Sequence, residues 1–180
     1  MKTKIKELAV ELNSFEKTKQ LGVSFKNIYP EIRCSDPIDV DIFLYKEKDS
    51  VIVSGTVKTK VIEKCARCLK DVVVDINGTV EAVYLPAKKF FKEVDSGSTE
   101  DLENTLPLDS EILDLSERVL EAIIVEIPLK VLCSENCRGL CPICGTNLNE
   151  NPEHSCEQGK DNKDKWHKLL SDLKENIRNG

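Results

Sequence analysis

IDVDIFLYKEKDSVIVSGTV, residues 38–57, decides how the first half of this chain folds. Ile38, Val40, Ile42 and Leu44 recur with a period of two, the spacing at which strand side chains share a face. The polar run KEKDS supplies a turn, and Val51, Val53, Gly55 and Val57 resume the same period, which predicts two antiparallel neighbours. Outward from this pair, Val61 leads into Cys65-Ala-Arg-Cys68, after which Val72, Val74 and Ile76 alternate again. Val80, Ala82 and Tyr84 continue beyond Gly78, where a bend or bulge is expected. Near the N-terminus the LAVEL segment fits a strand or a helix.

The second half reads differently. FFKEVDSGSTEDLENT, from Phe90 to Thr105, mixes acids with Ser and Gly and offers little continuous apolar surface, so it reads as a solvated connector. Asp114 is placed to cap a helix with Glu117 as the capping-box carboxylate, and Leu115, Val119, Ala122 and Ile123 follow at helical spacing, with Leu120 and Ile124 widening the stripe. Pro128 terminates it. Trp166, Leu169, Leu170, Leu173 and Ile177 form a last helical stripe, with Lys165, Lys168, Lys174 and Arg178 around it. The expected fold is α+β: an antiparallel β-rich core, open or barrel-like, with packed helices and a small Cys-rich zinc module. Residues 1–130 hold the core, with the acidic connector over about 93–111 and the helix over about 115–126. Residues 131–158 form the metal-binding module and 159–180 the amphipathic C-terminal helix.

Composition narrows the function. The 180 residues carry 26 basic and 32 acidic groups, a formal charge of −6, with 40% hydrophobic and 5% aromatic content. Neither a uniformly basic RNA binder nor a hyperacidic disordered chain has this balance. Glu93 to Glu126 contains eleven acids and one base, Arg118, so this stretch carries −10 and the remainder +4. Any nucleic-acid face therefore lies outside it. No apolar run approaches the roughly 20 residues that span a bilayer, and the start MKTKIKELAVEL lacks the apolar core of a signal peptide. No membrane partner and a cytoplasmic location are expected, and in that reducing compartment eight cysteines point to metal rather than disulfides.

The densest chemistry is Cys133-Ser-Glu-Asn-Cys137-Arg-Gly-Leu-Cys141-Pro-Ile-Cys144-Gly. Closely spaced thiols converge on one ion, and four thiolates complete the tetrahedron that Zn2+ accepts. Gly139 and Gly145 let the short connections turn. Cys133, Cys137, Cys141 and Cys144 are the expected ligands of one zinc. Cys65, Cys68 and Cys156 are further candidate ligands, Cys65 and Cys68 in a set shared with thiols of the later cluster and Cys156 as a replacement for Cys133 or Cys137. His154 is close enough to Cys156 to coordinate as well, but beside Pro152 and Glu153 it reads first as a surface residue. A site saturated by sulfur stabilises the fold without activating water. The Cys65–Cys68 pair also has the spacing of a redox pair, although its flanks read as strands rather than the strand-to-helix context of a reactive thiol. Cys34 stands alone as a core or surface thiol.

Lys64, Arg67, Lys70, Lys130 and Arg138 lie next to these cysteines, and with Trp166 they are the candidate contacts to RNA or to a partner. Catalytic patterns are poor. The only histidines are His154 and His167, and there is no Walker-type phosphate loop or HExxH motif. A noncatalytic, metal-stabilised interaction protein is expected.

Taken together, EKCARCLK at Glu63–Lys70, IPLKVLCSENCRGLCPICGTNLN at Ile127–Asn149, Cys156 and WHKLLSDLK at Trp166–Lys174 resemble the YceD family of large ribosomal RNA subunit accumulation proteins. With the β-rich first half, the resemblance covers nearly the whole chain, and CRGLCPICGTNLN is its most discriminating segment. It implies a bacterial cytosolic factor supporting large-subunit ribosomal RNA accumulation during ribosome biogenesis, with a precursor RNA or assembly particle as partner, or a ribosomal protein or processing factor. Its gene often lies beside that of a small large-subunit ribosomal protein. The resemblance assigns Cys65 and Cys68 to the family's central pair and Cys133, Cys137, Cys141 and Cys144 to a later cysteine module that only some members retain. Many members with that module end in a CxC-like pair, whereas this chain has HSCEQG with only Cys156. Two other readings stand beside RNA binding: a thiol redox protein using Cys65 and Cys68, and a scaffold that binds only protein.

Overall fold

The computed structural model describes residues 5–27, 29–95, 104–156 and residue 170. Contacts divide them into two units. One contains the residues up to Glu63 together with Val73–Leu129; the other contains Lys64–Val72 together with the described residues from Lys130 onward.

The first unit is mixed α+β. Strands β1 (Ala9–Glu11), β2 (Thr18–Phe25), β3 (Ile38–Glu47), β4 (Ser50–Lys64) and β5 (Asp71–Pro86) are followed by helix α1 (Ala87–Asp95), strands β6 (Thr105–Leu108) and β7 (Ile112–Asp114), and helix α2 (Ser116–Glu126). Five strands form one sheet in the order β2-β3-β4-β5-β6, and β1 pairs separately with β7. The five-stranded sheet is open rather than a closed barrel, with β2 and β6 at its edges. It is mainly antiparallel, but β6 runs parallel to β5, with Tyr84 opposite Leu106.

The period-two reading of residues 38–57 describes β3 and β4. Val40 faces Val57, Leu44 faces Val53, and Glu47 faces Ser50 across a two-residue turn at Lys48-Asp49. A positive φ of 41° at Lys48 fits a tight hairpin turn, whose backbone matches the twist of its strands. Ile38, Val40, Ile42 and Leu44 are buried, as are Val51, Val53, Val57 and Val61, and they join Ile76, Val80, Ala82 and Tyr84 of β5 in one core. α2 adds Val119, Ala122 and Ile123 to that core. The long hydrophobic faces bury apolar surface worth about 25 cal/mol per Å2, the main favourable contribution to this unit.

Gly78 marks no bulge: the buried alternation of β5 continues through it from Ile76 to Val80. A Cβ here would collide with the backbone carbonyl of Ala122 and lie 3.1 Å from Val57 Cγ1, so glycine permits the close approach of α2. LAVEL resolves into a single 3-10 turn, Lys6–Leu8, and then β1. The connector reading of Phe90 to Thr105 is partly overturned. Phe90 to Asp95 complete α1, and Thr105 opens β6; residues 96–103 lie outside the described residues.

At the start of α2, Asp114 Oδ1 accepts the Ser116 backbone N–H at 3.0 Å. Ser116 is itself buried; its Oγ accepts the Ile5 N–H at 2.9 Å and its carbonyl accepts the Tyr29 hydroxyl at 2.8 Å. These bonds satisfy polar groups that burial would otherwise penalise and fasten the N-terminal segment to the helix start. Trp166 and the C-terminal amphipathic stripe fall outside the described residues, save Leu170, which is helical.

Candidate metal centres

The second unit is built around cysteine. Cys65 and Cys68 lie on the connection between β4 and β5, whose first turn is tied by the Cys65 N–H bonding to Lys70 O at 2.8 Å and the Leu69 N–H to Cys65 O at 3.0 Å. The Ala66 N–H reaches Val131 O at 2.8 Å, so residues more than sixty positions apart lie side by side. Cys65, Cys68 and Cys137 are buried, packed with Val72, Leu132 and Leu140.

Two groups of four donors result. The first is Cys65, Cys68, Cys133 and Cys137; the second is Cys141, Cys144, His154 and Cys156. Within each group every donor atom lies within 4.8 Å of the others. In the first, Cys65 Sγ is 3.8 Å from Cys137 Sγ and Cys68 Sγ is 3.5 Å from Cys133 Sγ. A tetrahedron of sulfurs at about 2.3 Å from a central zinc has edges of about 3.8 Å. The donors thus fit a thiolate-bound ion by spacing as well as by type. In the second, Cys144 Sγ lies 3.2 Å from His154 Nε2.

Cys133, Cys137, Cys141 and Cys144 are therefore not brought together as one set. Cys133 and Cys137 turn to the upstream pair, and Cys141 and Cys144 turn to His154 and Cys156. The three residues between the pairs explain the division. Arg67 Nη1 donates to Cys137 O at 2.8 Å, the Leu140 N–H donates to Arg67 O at 3.2 Å, and buried Gly139 lies against that same Arg67 carbonyl. This backbone contact holds Cys137 beside the Cys65–Cys68 turn. Cys65, Cys68 and Cys156, the further candidates, all fall within the two groups, and so does His154, which sequence reading placed on the surface. The HxC spacing of His154 and Cys156, which sets two donors two residues apart, was the available signal for it. Cys34 belongs to neither group; it forms an isolated bridge with Val61, and burial raises its thiol pKa.

Proton sharing follows from the crowding. Burial pushes the Cys65 thiol up, but backbone hydrogen bonds from Cys133, Cys68 and Arg67 prevail and bring it down to about 6. Cys133 is pushed up to about 12 by hydrogen bonding with Cys137 and Cys68. In the second group the Thr146 hydroxyl and backbone amide lower Cys144 to about 6, while burial and then Cys144 raise Cys156 to about 11. Neighbouring thiols resist joint ionisation, and a divalent cation supplies the charge that lets all of them ionise.

The candidate RNA contacts have structural partners nearby. Lys64 pairs with Asp71 at 2.8 Å. Arg67 Nη1 also reaches Glu135 O at 3.1 Å, and Arg138 Nη1 donates to Pro152 O at 2.9 Å. Lys70 and Lys130 are exposed. Trp166 is outside the described residues.

The family model described as large ribosomal RNA subunit accumulation protein YceD matches residues 53–174, a span that takes in every ligand of both groups. The chain belongs to the YceD family. An uncharacterized protein of Mycobacterium tuberculosis is 31% identical over 136 residues, which are 76% of this chain and 62% of that protein. The large ribosomal RNA subunit accumulation protein YCED homolog 1, chloroplastic, of Arabidopsis thaliana is 26% identical over 170 residues, covering 83% of this chain and 51% of the plant protein. Its namesake in Zea mays is 24% identical over 143 residues, covering 67% and 49%. This YceD-family chain thus spans about half to three fifths of the length of these relatives. No solved structure matches it. The family name ties its members to accumulation of large-subunit ribosomal RNA. Among the described residues no helix is long and apolar enough to cross a membrane.

Proposed function

We propose that this chain is a noncatalytic cytoplasmic factor that supports large-subunit ribosomal RNA accumulation by binding precursor RNA or an assembly particle during ribosome biogenesis. The observation that carries this reading is family membership over residues 53–174. Zn2+ at Cys65, Cys68, Cys133 and Cys137 serves as a structural cofactor. Four sulfurs saturate its coordination, so it fixes the second unit without supplying a reactive water. The buried position of Cys65, Cys68 and Cys137 favours this role over thiol exchange, which needs an accessible sulfur.

One observation favours contact through protein instead of RNA. Of the basic groups around the metal centres, Lys64 is paired with a carboxylate, and Arg67 and Arg138 hold backbone carbonyls. Lys70 and Lys130 then carry the RNA reading. Capture of the tagged full chain from growing cells, with crosslinking and RNA sequencing, is expected to enrich large-subunit precursors. Equal recovery of unrelated RNAs would overturn the proposal. Partner capture that survives complete nuclease digestion, without crosslinked RNA, would replace it by the protein scaffold.

A further inference from the structure

We propose that the chain holds two metal ions of unequal permanence, and that Cys141, Cys144, His154 and Cys156 bind the second as an exchangeable Zn2+. This goes beyond the ribosomal reading and does not depend on it, since it rests on donor chemistry and backbone construction.

The second centre repeats the construction of the first. In the first turn the Cys65 N–H bonds Lys70 O, five residues on, and the Leu69 N–H returns to Cys65 O, with Leu69 at φ +60°. In the second the Cys141 N–H bonds Thr146 O at 2.8 Å and the Gly145 N–H returns to Cys141 O at 2.9 Å, with Gly145 at φ +75°. Same hydrogen bonds, same left-handed residue at the same offset: each turn presents two sulfurs to one point. The left-handed residue costs strain at Leu69 and none at glycine. A second pair completes each set, Cys133 and Cys137 for the first turn, His154 and Cys156 for the second.

The return of His154 is also built. An isolated bridge joins Leu140 to Asn147; the Asn151 N–H bonds Asn147 O and the His154 N–H bonds Asn151 O, both at 3.1 Å. Arg138 Nη1 fastens Pro152 O from the other side of the loop. The Thr146 hydroxyl lies 3.1 Å from Cys144 Sγ, an outer partner of the kind that orients a ligand. Three thiolates and one imidazole form a closed tetrahedral zinc set, with no position left for a catalytic water.

The centres differ in access and in connectivity. Three of the four ligands of the first are buried, and they join two stretches of chain 65 or more positions apart. Releasing that ion requires separating the β4–β5 connection from the 133–137 segment. In the second, only Cys141 is buried; Cys144 is exposed, and His154 and Cys156 are half-buried. All four ligands lie within residues 141–156, so opening one local loop frees the ion, and local openings cost less than global ones.

Native mass spectrometry of the full chain, purified without added metal, is expected to show two zinc ions. Timed exposure to EDTA is expected to remove one of them at least tenfold faster, leaving a one-zinc species. Hydrogen exchange followed by mass spectrometry should then rise in residues 141–156 while residues 65–68 stay protected. The variant Cys144→Ser with Cys156→Ser is expected to retain one ion, the EDTA-resistant one. At most one ion in the intact chain, two in that variant, or loss of both at one rate would overturn the proposal. Should the variant fold poorly, the EDTA time course and exchange pattern of the unaltered chain decide it.

Discussion

Replacing Arg67 by alanine separates two roles for this guanidinium: clamp on the metal module or contact to nucleic acid. Its Nη1 donates to Glu135 O at 3.1 Å and to Cys137 O at 2.8 Å. Hydrogen bonds to charged groups contribute about 1.5–3 kcal/mol each when shielded; for an exposed side chain about 1 kcal/mol each is the suitable figure. The loss of both is about 2 kcal/mol, or roughly a thirtyfold change in an equilibrium constant. Both carbonyls belong to the segment that delivers Cys133 and Cys137, so the loss should appear as weaker zinc retention at the first centre. Competition against a fluorescent zinc chelator measures it directly, and thermal unfolding reports the same loss independently. We expect about thirtyfold weaker retention for Arg67→Ala and partial recovery for Arg67→Lys, which keeps the charge. Unchanged zinc retention and unfolding, combined with lost RNA crosslinking, would refute the clamp and return Arg67 to the RNA face.

Two further outcomes test the first unit. Gly78→Ala places a methyl against the Ala122 carbonyl and 3.1 Å from Val57 Cγ1, and because both belong to packed elements it should destabilise the fold by about 1–3 kcal/mol in urea unfolding. Tyr29→Phe removes the bond to the buried Ser116 carbonyl and should cost about 1–3 kcal/mol at neutral pH. Burial, with Asp114 and then Glu31 adding to it, raises the Tyr29 pKa above its ordinary value, and burial pushes Tyr84 up to about 12. Above about pH 10 the unfolded chain therefore releases protons that the native phenols keep, so stability falls as pH rises. Urea titrations from pH 8 to 11 should show a shallower alkaline decline for Tyr29→Phe, and an unchanged slope would count against the burial argument.

The central hairpin was legible because Ile38–Leu44 and Val51–Val57 bury one face and expose the other, which leaves the period of two undisturbed in the sequence. β2 carries the same period in Leu21, Val23 and Phe25, but as an edge strand it is only half-buried and its polar neighbours mask the pattern. β6 holds Pro107 at a sheet edge, and β7 is three residues long, both too slight to stand out. Gly78 shows a different limit: its reason is the Ala122 carbonyl on a helix some forty residues away, not the strand that contains it. At the metal centres the ligand types were readable, and so was a set joining Cys65 and Cys68 to later thiols; which of the later thiols join them was not. Sequence proximity favours joining Cys137 to Cys141, whereas the backbone bonds of Arg67 and Leu140 join Cys137 to a turn far upstream. His154 was discounted on its immediate neighbours, although the centre is made by the loop that returns it to Cys144.

The reach of the first centre also sets an order of events at birth. Cys68 and Cys133 are 65 positions apart, and a ribosome adds about 5–20 residues per second. For roughly 3–13 seconds after Cys68 is made its pair is an open two-thiol claw, with no third or fourth ligand yet in existence. During that interval the claw is open to any thiol oxidant or soft metal ion within reach. The second centre, contained in residues 141–156, closes about as soon as it emerges. With zinc bound at the first centre as proposed, this chain is most exposed to oxidation and mismetallation in the middle of its own synthesis, before the finished protein exists.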